Sequence, residues 1–215
     1  MAELPKHAKV VVIGQGGIVG ASVVHHLIEE GWDDIVGLEK SAIPTDIGST
    51  SHASDFCYMT THDKLNVFTS TYSREFYKKR GNYIEIGGME VARKDDDERM
   101  LELIRKVGSG KAFGTKAHMI SAAEAKEKFP LLEESEIQGA LWDPDAGLVT
   151  PRSQKVAGDL VDEAVASGKL KAFAYTPATK ILVEDGVAVG VETPKGTIMA
   201  DYLVLCAGIW GSLVS

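Results

Sequence analysis

Cysteine, basic charge and long apolar runs are all scarce in this sequence. Its two cysteines, Cys57 and Cys206, lie far apart and in no metal-ligand spacing. That excludes a disulfide-stapled scaffold and a zinc module, and it fits reduced, buried thiols in a cytoplasmic protein. Lys and Arg number 23 against 31 Asp and Glu, a formal net charge of −8. So acidic a chain is a poor partner for nucleic acid or an anionic membrane surface. No apolar run approaches the length of a membrane span. The first nine residues are polar and lead straight into a strand, without a signal-peptide pattern. Repeats and low-complexity linkers are also missing. What is present, 44% hydrophobic residues with 25% charged, suits a globular protein with a real core.

The most informative stretch is the first forty residues. Lys9 to Ile13 reads as a buried parallel strand, and Gly14-Gln15-Gly16-Gly17-Ile18-Val19-Gly20 as a tight turn opening a helix. That helix is predicted from Ile18 to about Glu30, with Ala21, Val24, Leu27 and Ile28 inward and Gly31 as its stop. A second strand, Asp34 to Leu38, ends at Glu39. Strand, glycine loop, helix, strand and acid in this order form the dinucleotide-binding fingerprint in its required context. The glycines admit a pyrophosphate to the backbone, and the helix start offers it free N–H groups and the positive dipole end. Glu39 is placed to accept hydrogen bonds from ribose hydroxyls. The loop departs from the six-residue motif by one extra residue. Counting back from Gly20 puts the first glycine at Gln15, and counting forward from Gly14 puts the last at Val19. Which glycine faces the phosphate therefore stays open.

From Lys40 to Thr61 the chain is polar and irregular. Asp63 caps a helix carrying Leu65, Phe68, Tyr72 and Phe76 on one side, with Gly81 at its end. Tyr83–Ile86 and Met89–Ala92 read as strands around Gly87-Gly88. Asp95-Asp96-Asp97 starts a helix that Gly108 closes, and the acidic run reads as a cap rather than a metal site. Ser121 and Glu124 form a capping box for a short helix ending at Pro130. Thr150-Pro151 opens a longer helix with Val156, Leu160, Val161 and Ala164 inward and Gly168 after it. The remainder is β: a strand from Leu170 to Tyr175, a hairpin about Asp185-Gly186, a strand over Thr197–Ala200, and an apolar strand over Tyr202–Cys206 ending in Ala207-Gly208. The expected fold is α/β, a Rossmann-like nucleotide-binding domain interrupted by an inserted α+β segment.

A further element is Gly48-Ser49-Thr50-Ser51-His52-Ala53. Glycine and small hydroxyl residues let a loop press against a large planar cofactor, and the hydroxyls can bind phosphate oxygens. In this element, in Gly17-Ile18-Val19-Gly20, in Leu38-Glu39-Lys40, in Gly87-Gly88-Met89-Glu90-Val91-Ala92, in Phe129-Pro130-Leu131-Leu132 and in Cys206-Ala207-Gly208-Ile209-Trp210, the chain resembles the flavin-dependent amine oxidoreductases of the D-amino-acid-oxidase-like family. The dimethylglycine oxidase, dimethylglycine dehydrogenase and sarcosine dehydrogenase group is the closest in pattern. The resemblance spans the chain in order.

That resemblance implies a Rossmann-like FAD-binding domain in two parts, 1–81 and 149–215, around an inserted substrate-domain segment, 82–148. It implies FAD as cofactor, carried through a covalent bond at His52. Gly14, Gly16, Gly17 and Gly20 would form the cradle, Ile18 and Val19 would contact the pyrophosphate, and Glu39 and Lys40 would meet the adenosine. Ser49, Thr50 and Ser51 would line the flavin side, Ala178 would reach adenine through its backbone, and Ala207 and Gly208 would pass close to the cofactor. Asp55 stands where the family commonly has glycine. No catalytic base is assigned among Tyr58, His62, Tyr72 and His118. The implied activity is oxidation of a secondary or tertiary amine, an N-methylated glycine such as dimethylglycine or sarcosine, by hydride transfer to flavin. The alternatives are a non-catalytic flavin-binding fragment or subunit completed by a further chain, and a D-amino-acid-oxidase-like enzyme with another substrate. Related enzymes continue past the Ala-Gly-Ile-Trp element, so exposed apolar surface is expected where their remainder would pack.

Overall fold

The computed structural model describes residues 3–214. The chain divides into two compact units, one built from residues up to Ser54 and from Pro151 onward, the other from Asp55–Thr150. The first unit opens with strand β1 (His7–Ile13), helix α1 (Ile18–Glu29) and strand β2 (Ile35–Leu38). The second contains β3 (Phe56–Cys57), α2 (Lys64–Lys79), β4 (Tyr83–Glu85), β5 (Gly88–Arg93), α3 (Asp97–Ala112), β6 (His118–Ile120), α4 (Ala122–Lys128), β7 (Ile137–Asp143) and β8 (Gly147–Val149). The chain then returns to the first unit with α5 (Ser153–Ala166), β9 (Leu170–Phe173), β10 (Lys180–Glu184), β11 (Val187–Thr193) and β12 (Gly196–Leu205).

The first unit is a six-stranded sheet in the order β10-β11-β12-β1-β2-β9. β12, β1, β2 and β9 run parallel, and β10 and β11 are antiparallel. Parallel strands are covered on both faces, which is why β1 reads as an unbroken apolar run. Val11 and Ile13 join Val36, Leu38, Val191 and Ile198 in one core cluster. Val10 and Val12, which alternate with them, are equally buried. Helices α1 and α5 pack on one another. The predicted inner face of α5 is correct, since Val156, Leu160, Val161 and Ala164 are all buried. Both central residues of the β10–β11 turn, Asp185 and Gly186, have positive φ, as a tight hairpin demands.

The second unit holds two three-stranded sheets, β3-β8-β4 and β5-β7-β6. Leu103 and Val107 of α3 pack with Ala92 and Leu141, and Ala125 of α4 packs with Ile120, Ile137 and Ala140. The strands flanking Gly87-Gly88 do not pair with each other; they belong to different sheets. The capping box at Ser121 and Glu124 forms as predicted, and Asp96 caps α3 by accepting from the Arg99 N–H at 2.9 Å.

Several boundaries differ from expectation. The units divide at 54/55 and 150/151, not at 81/82 and 148/149. Residues 55–81 belong with the middle segment because β3 pairs with β8 and the Val149 N–H donates to the Asp55 carbonyl. Arg74 of α2 also pairs with Glu85 and Asp145. Helix α3 runs through Gly108 to Ala112. Helix α5 starts at Ser153; Thr150 lies at a bend before it, tied to Asn82 by two hydrogen bonds. The two predicted strands at Thr197–Ala200 and Tyr202–Cys206 are one strand, β12; Asp201, which interrupts its apolar pattern, faces out and pairs with His7. On α2 the apolar stripe faces outward, with Leu65, Phe68 and Tyr72 more than half exposed and Val67 buried instead.

Candidate functional site

A cleft of about 280 Å³ opens in the first unit at the carboxyl ends of the parallel strands β12, β1 and β2. This is where open α/β sheets bind ligands, because the strands end there and the loops diverge. Its floor is the glycine loop, with Gly14, Gly17, Ile18 and Val19. Glu39 and Lys40 at the end of β2, Ser49 and Thr50, Ala178, and Ala207 and Gly208 complete the walls from the predicted set. Pro177, Thr45, Cys206 and Trp210 also line it. Gly16, Gly20, Ser51 and His52 do not.

The loop's glycines divide their work. Gly14 has φ +84°, and a Cβ there would lie 2.5 Å from the Cys206 carbonyl oxygen. Gly14 thus lets the loop abut the end of β12. Gly20 is a packing glycine, since a Cβ would meet the Gly14 carbonyl oxygen at 2.4 Å. At Gly17 the nearest atom to an added Cβ is Thr50 Oγ1 at 3.5 Å, an ordinary contact. Gly14 and Gly17 both line the cleft, and of the two only Gly17 has room for a side chain. Gln15, the extra residue, turns away beneath the loop, fully buried against Gly37, and its amide has no partner among the described residues.

Glu39 is only 5% exposed. Its Oε2 accepts from the Gly16 N–H at 3.1 Å, and its Oε1 accepts from the Ser41 N–H at 3.1 Å and from Ser41 Oγ at 3.3 Å. A carboxylate offers roughly four acceptor positions, so these three bonds leave one for a ligand. Glu39 therefore braces the glycine loop and the start of the segment after β2. Gly16 exists for this brace, as a Cβ there would lie 2.8 Å from Glu39 Oε2.

Helix α1 has Gly17 at its N-cap and no side-chain cap of its own. Thr50 replaces one from 32 residues away, accepting from the Ile18 N–H at 3.0 Å. The next N–H, that of Val19, has no acceptor among the described residues and stands at the helix's positive end. The Ser-Thr-Ser-His segment is thus tied to the glycine loop, and the Thr45 N–H donating to the Gly16 carbonyl at 2.9 Å ties it again.

His52 lies a turn further along, exposed, with Nδ1 3.1 Å from the Gly48 carbonyl oxygen and 2.9 Å from Ser51 Oγ. Ser51 Oγ donates to that same carbonyl at 2.8 Å. A carbonyl only accepts, so this contact calls for a proton on Nδ1. Burial pushes the Cys206 thiol up, and burial with the Asp55 charge does the same to Cys57. Both stay neutral thiols, not activated nucleophiles. Among the described residues no cluster of metal-ligating side chains occurs. No helix there is long and apolar enough to cross a membrane.

None of the four unassigned titratable candidates lines the cleft. Tyr58 has a buried hydroxyl without a partner among the described residues and Lys106 4.5 Å from its ring. His62 faces Glu102 at 3.7 Å, and His118 donates from Nδ1 to the Lys116 carbonyl at 3.1 Å. Asp55 has φ +63°, a left-handed conformation that glycine adopts freely and Asp tolerates. Backbone conformation thus accounts for the glycine that the resemblance leads one to expect there.

The family model described as FAD dependent oxidoreductase (DAO) matches residues 9–215. The chain belongs to this family. Human mitochondrial sarcosine dehydrogenase is 32% identical over 98% of the chain, and the mouse mitochondrial pyruvate dehydrogenase phosphatase regulatory subunit is 32% identical over 96%. In each case the chain spans 24% of the relative's own length. Among solved structures, L-proline dehydrogenase from P. horikoshii superposes with a TM-score of 0.88 at 30% identity, over 98% of this chain and 55% of that one. FAD is the cofactor of the family. The residues present fit it: an open glycine at 17, a free helix N–H at Val19 and an acceptor position left on Glu39.

Proposed function

We propose that the cleft binds FAD and that the protein serves the oxidation of a secondary or tertiary amine, an N-methylated glycine of the dimethylglycine or sarcosine kind. The observation that carries the cofactor reading is Gly17, whose empty side-chain space is required by nothing in the protein. The substrate reading rests on the likeness to sarcosine dehydrogenase and to human mitochondrial dimethylglycine dehydrogenase, 30% identical over 94% of the chain.

When bound, FAD supplies a hydride acceptor for the C–H bond beside the amine nitrogen. The protein's part is to bind and orient it. Gly14 and Gly17 bring backbone to the pyrophosphate, and Val19 offers its N–H there. Glu39 accepts from a ribose hydroxyl through its remaining position, with Lys40 and the Ala178 backbone beside the adenosine. Ser49, Thr50 and Ser51 belong to the flavin side. Ala207 and Gly208, held against Gly14, complete the wall. His52 is the proposed attachment point. His52→Ala is expected to leave no flavin in acid-precipitated protein, whereas colour retained in that pellet rejects the covalent role. The two units correspond, in this reading, to the FAD-binding and substrate-domain parts. The free thiols of Cys57 and Cys206 support a reducing compartment such as the cytoplasm.

A second reading is supported by the likeness to a regulatory subunit at the same identity. In it the chain is a flavin-binding module without turnover, completed by a further chain. Stopped-flow absorption separates the readings. Flavin bleaching by dimethylglycine or sarcosine supports the amine oxidoreductase. Bleaching only by L-proline or D-amino acids moves the substrate class, and a stable flavin band throughout supports the binding module.

A further inference from the structure

After β2 the first unit runs through a polar segment that ends in a short 3-10 turn, Ser49–His52. The segment is held from two sides. On one, the Thr45 N–H donates to the Gly16 carbonyl at 2.9 Å, and Thr50 Oγ1 accepts from the Ile18 N–H at 3.0 Å. On the other stands the start of α5. Arg152, its N-cap residue, donates from Nη2 to the Ser51 carbonyl at 3.1 Å, and Gln154 donates from Nε2 to the Thr45 carbonyl at 2.8 Å. Pro44 packs on Gly158, one turn further along α5, where an added Cβ would lie 3.2 Å from the proline ring. The Ser51 carbonyl belongs to the peptide bond leading into His52, so Arg152 grips the backbone next to that residue. A helical turn leaves its last carbonyls unpaired, and the guanidinium meets one of them with a charge-assisted bond.

We propose that Arg152 and Gln154 are positioning residues for the flavin end of the bound cofactor, acting through the Ser49–His52 turn. The inference rests on the reading of the cleft as an FAD site with this turn on its flavin side. The phosphate end has supports of its own: Gly14 abuts the end of β12, and Glu39 braces Gly16 from the end of β2. The turn lacks such support. Residues 46–52 include no buried side chain, so hydrogen bonds rather than core packing set where the turn lies. Segments with few buried contacts open at little cost. With either α5 bond removed, a ligand reaching the turn must order it on binding, and that ordering is subtracted from affinity. Local spacing does not reveal the two residues, because they lie 101 and 109 positions from the carbonyls they bond.

Paired titrations with FAD and with ADP, which carries the adenosine and pyrophosphate but no flavin, provide the test. They are made in a His52→Ala background so that the flavin exchanges reversibly. Arg152→Met and Gln154→Leu are each expected to weaken FAD about 3- to 10-fold, the worth of one such hydrogen bond, and ADP by less than about twofold. The visible absorption band of bound FAD gives an independent signature, and in both variants it is expected to move toward that of free flavin. FAD and ADP weakened by the same factor mark a merely structural role and overturn the proposal, as does FAD affinity unchanged in both variants. Should one variant unfold by far-UV circular dichroism, the other decides. A wild-type chain that binds FAD no more tightly than ADP overturns the placement of the turn on the flavin side. One that binds neither overturns the cleft reading itself.

Discussion

A methyl group added at Gly14 would strike the Cys206 carbonyl on a residue whose φ already disfavours any side chain. Gly14→Ala is therefore expected to destabilise the first unit by about 2–5 kcal/mol, combining strain and overpacking. Gly17→Ala has only an ordinary contact to accommodate and loses a favourable N-cap, so its expected cost is about 1 kcal/mol or less. Its effect falls on the ligand, with FAD affinity down about tenfold or more, a shift of about 1.4 kcal/mol. Denaturant titration and FAD titration of the two variants check this split; equal stability loss in both would refute it. Glu39 belongs to the same scale. Spacing predicts a ligand acceptor there, and the structure adds that it braces Gly16 and Ser41. Tests of ligand binding by Glu39→Ala would be confounded, because two buried backbone donors would lose their acceptor at about 1–3 kcal/mol each.

Helix α3 carries two glycines with opposite reasons for being there. Gly108 has nothing within 4 Å of an added Cβ, so Gly108→Ala is expected to stabilise by about 0.5–1 kcal/mol through helix propensity. At Gly110 a Cβ would lie 2.5 Å from Thr115 Oγ1 and 2.8 Å from Thr60 Cγ2. Gly110→Ala is expected to destabilise despite the better propensity, and opposite signs in urea midpoints are the check. At the α2–β4 contact, the hydrogen bond from Lys78, at 2.6 Å, and the Arg74 guanidinium hold the Glu85 carboxyl at about 2. A carboxyl depressed in the folded state stabilises above its unfolded value near 4.5 and loses that contribution as pH falls toward 2. Acid unfolding of the second unit should therefore steepen between about pH 4.5 and 2, and Glu85→Gln should flatten that part of the curve. Identical acid limbs for wild type and variant would refute the role of this pair.

For the whole molecule, a ligand that binds only the folded chain raises its stability by mass action. At FAD a hundredfold above its dissociation constant the gain is about 2.7 kcal/mol, or roughly 5–10 °C in melting temperature for a chain of this size. Thermal unfolding with and without FAD measures it, and an unmoved midpoint at saturating FAD counts against the cleft. The chain spans a quarter of the length of sarcosine dehydrogenase, so a full catalytic cycle belongs to the proposal and not to the family membership.

The sequence by itself determined the opening strand, loop, helix and strand, the hairpin at Asp185-Gly186, the caps at Asp63, Asp96 and Ser121, and the inner face of α5. Each depends on residues within one turn or one strand of each other, so local pattern suffices. Only the tertiary structure decided where helix α3 ends, that β12 is one strand and that residues 55–81 join the second unit. It alone separated Gly17, which has room for a side chain, from the glycines that pack, and it alone brought Thr50 to cap α1 and Trp210 to Lys40. These outcomes turn on which atoms distant segments place within 4 Å, and that distance is set by the assembled core, not by the spacing of residues along the chain.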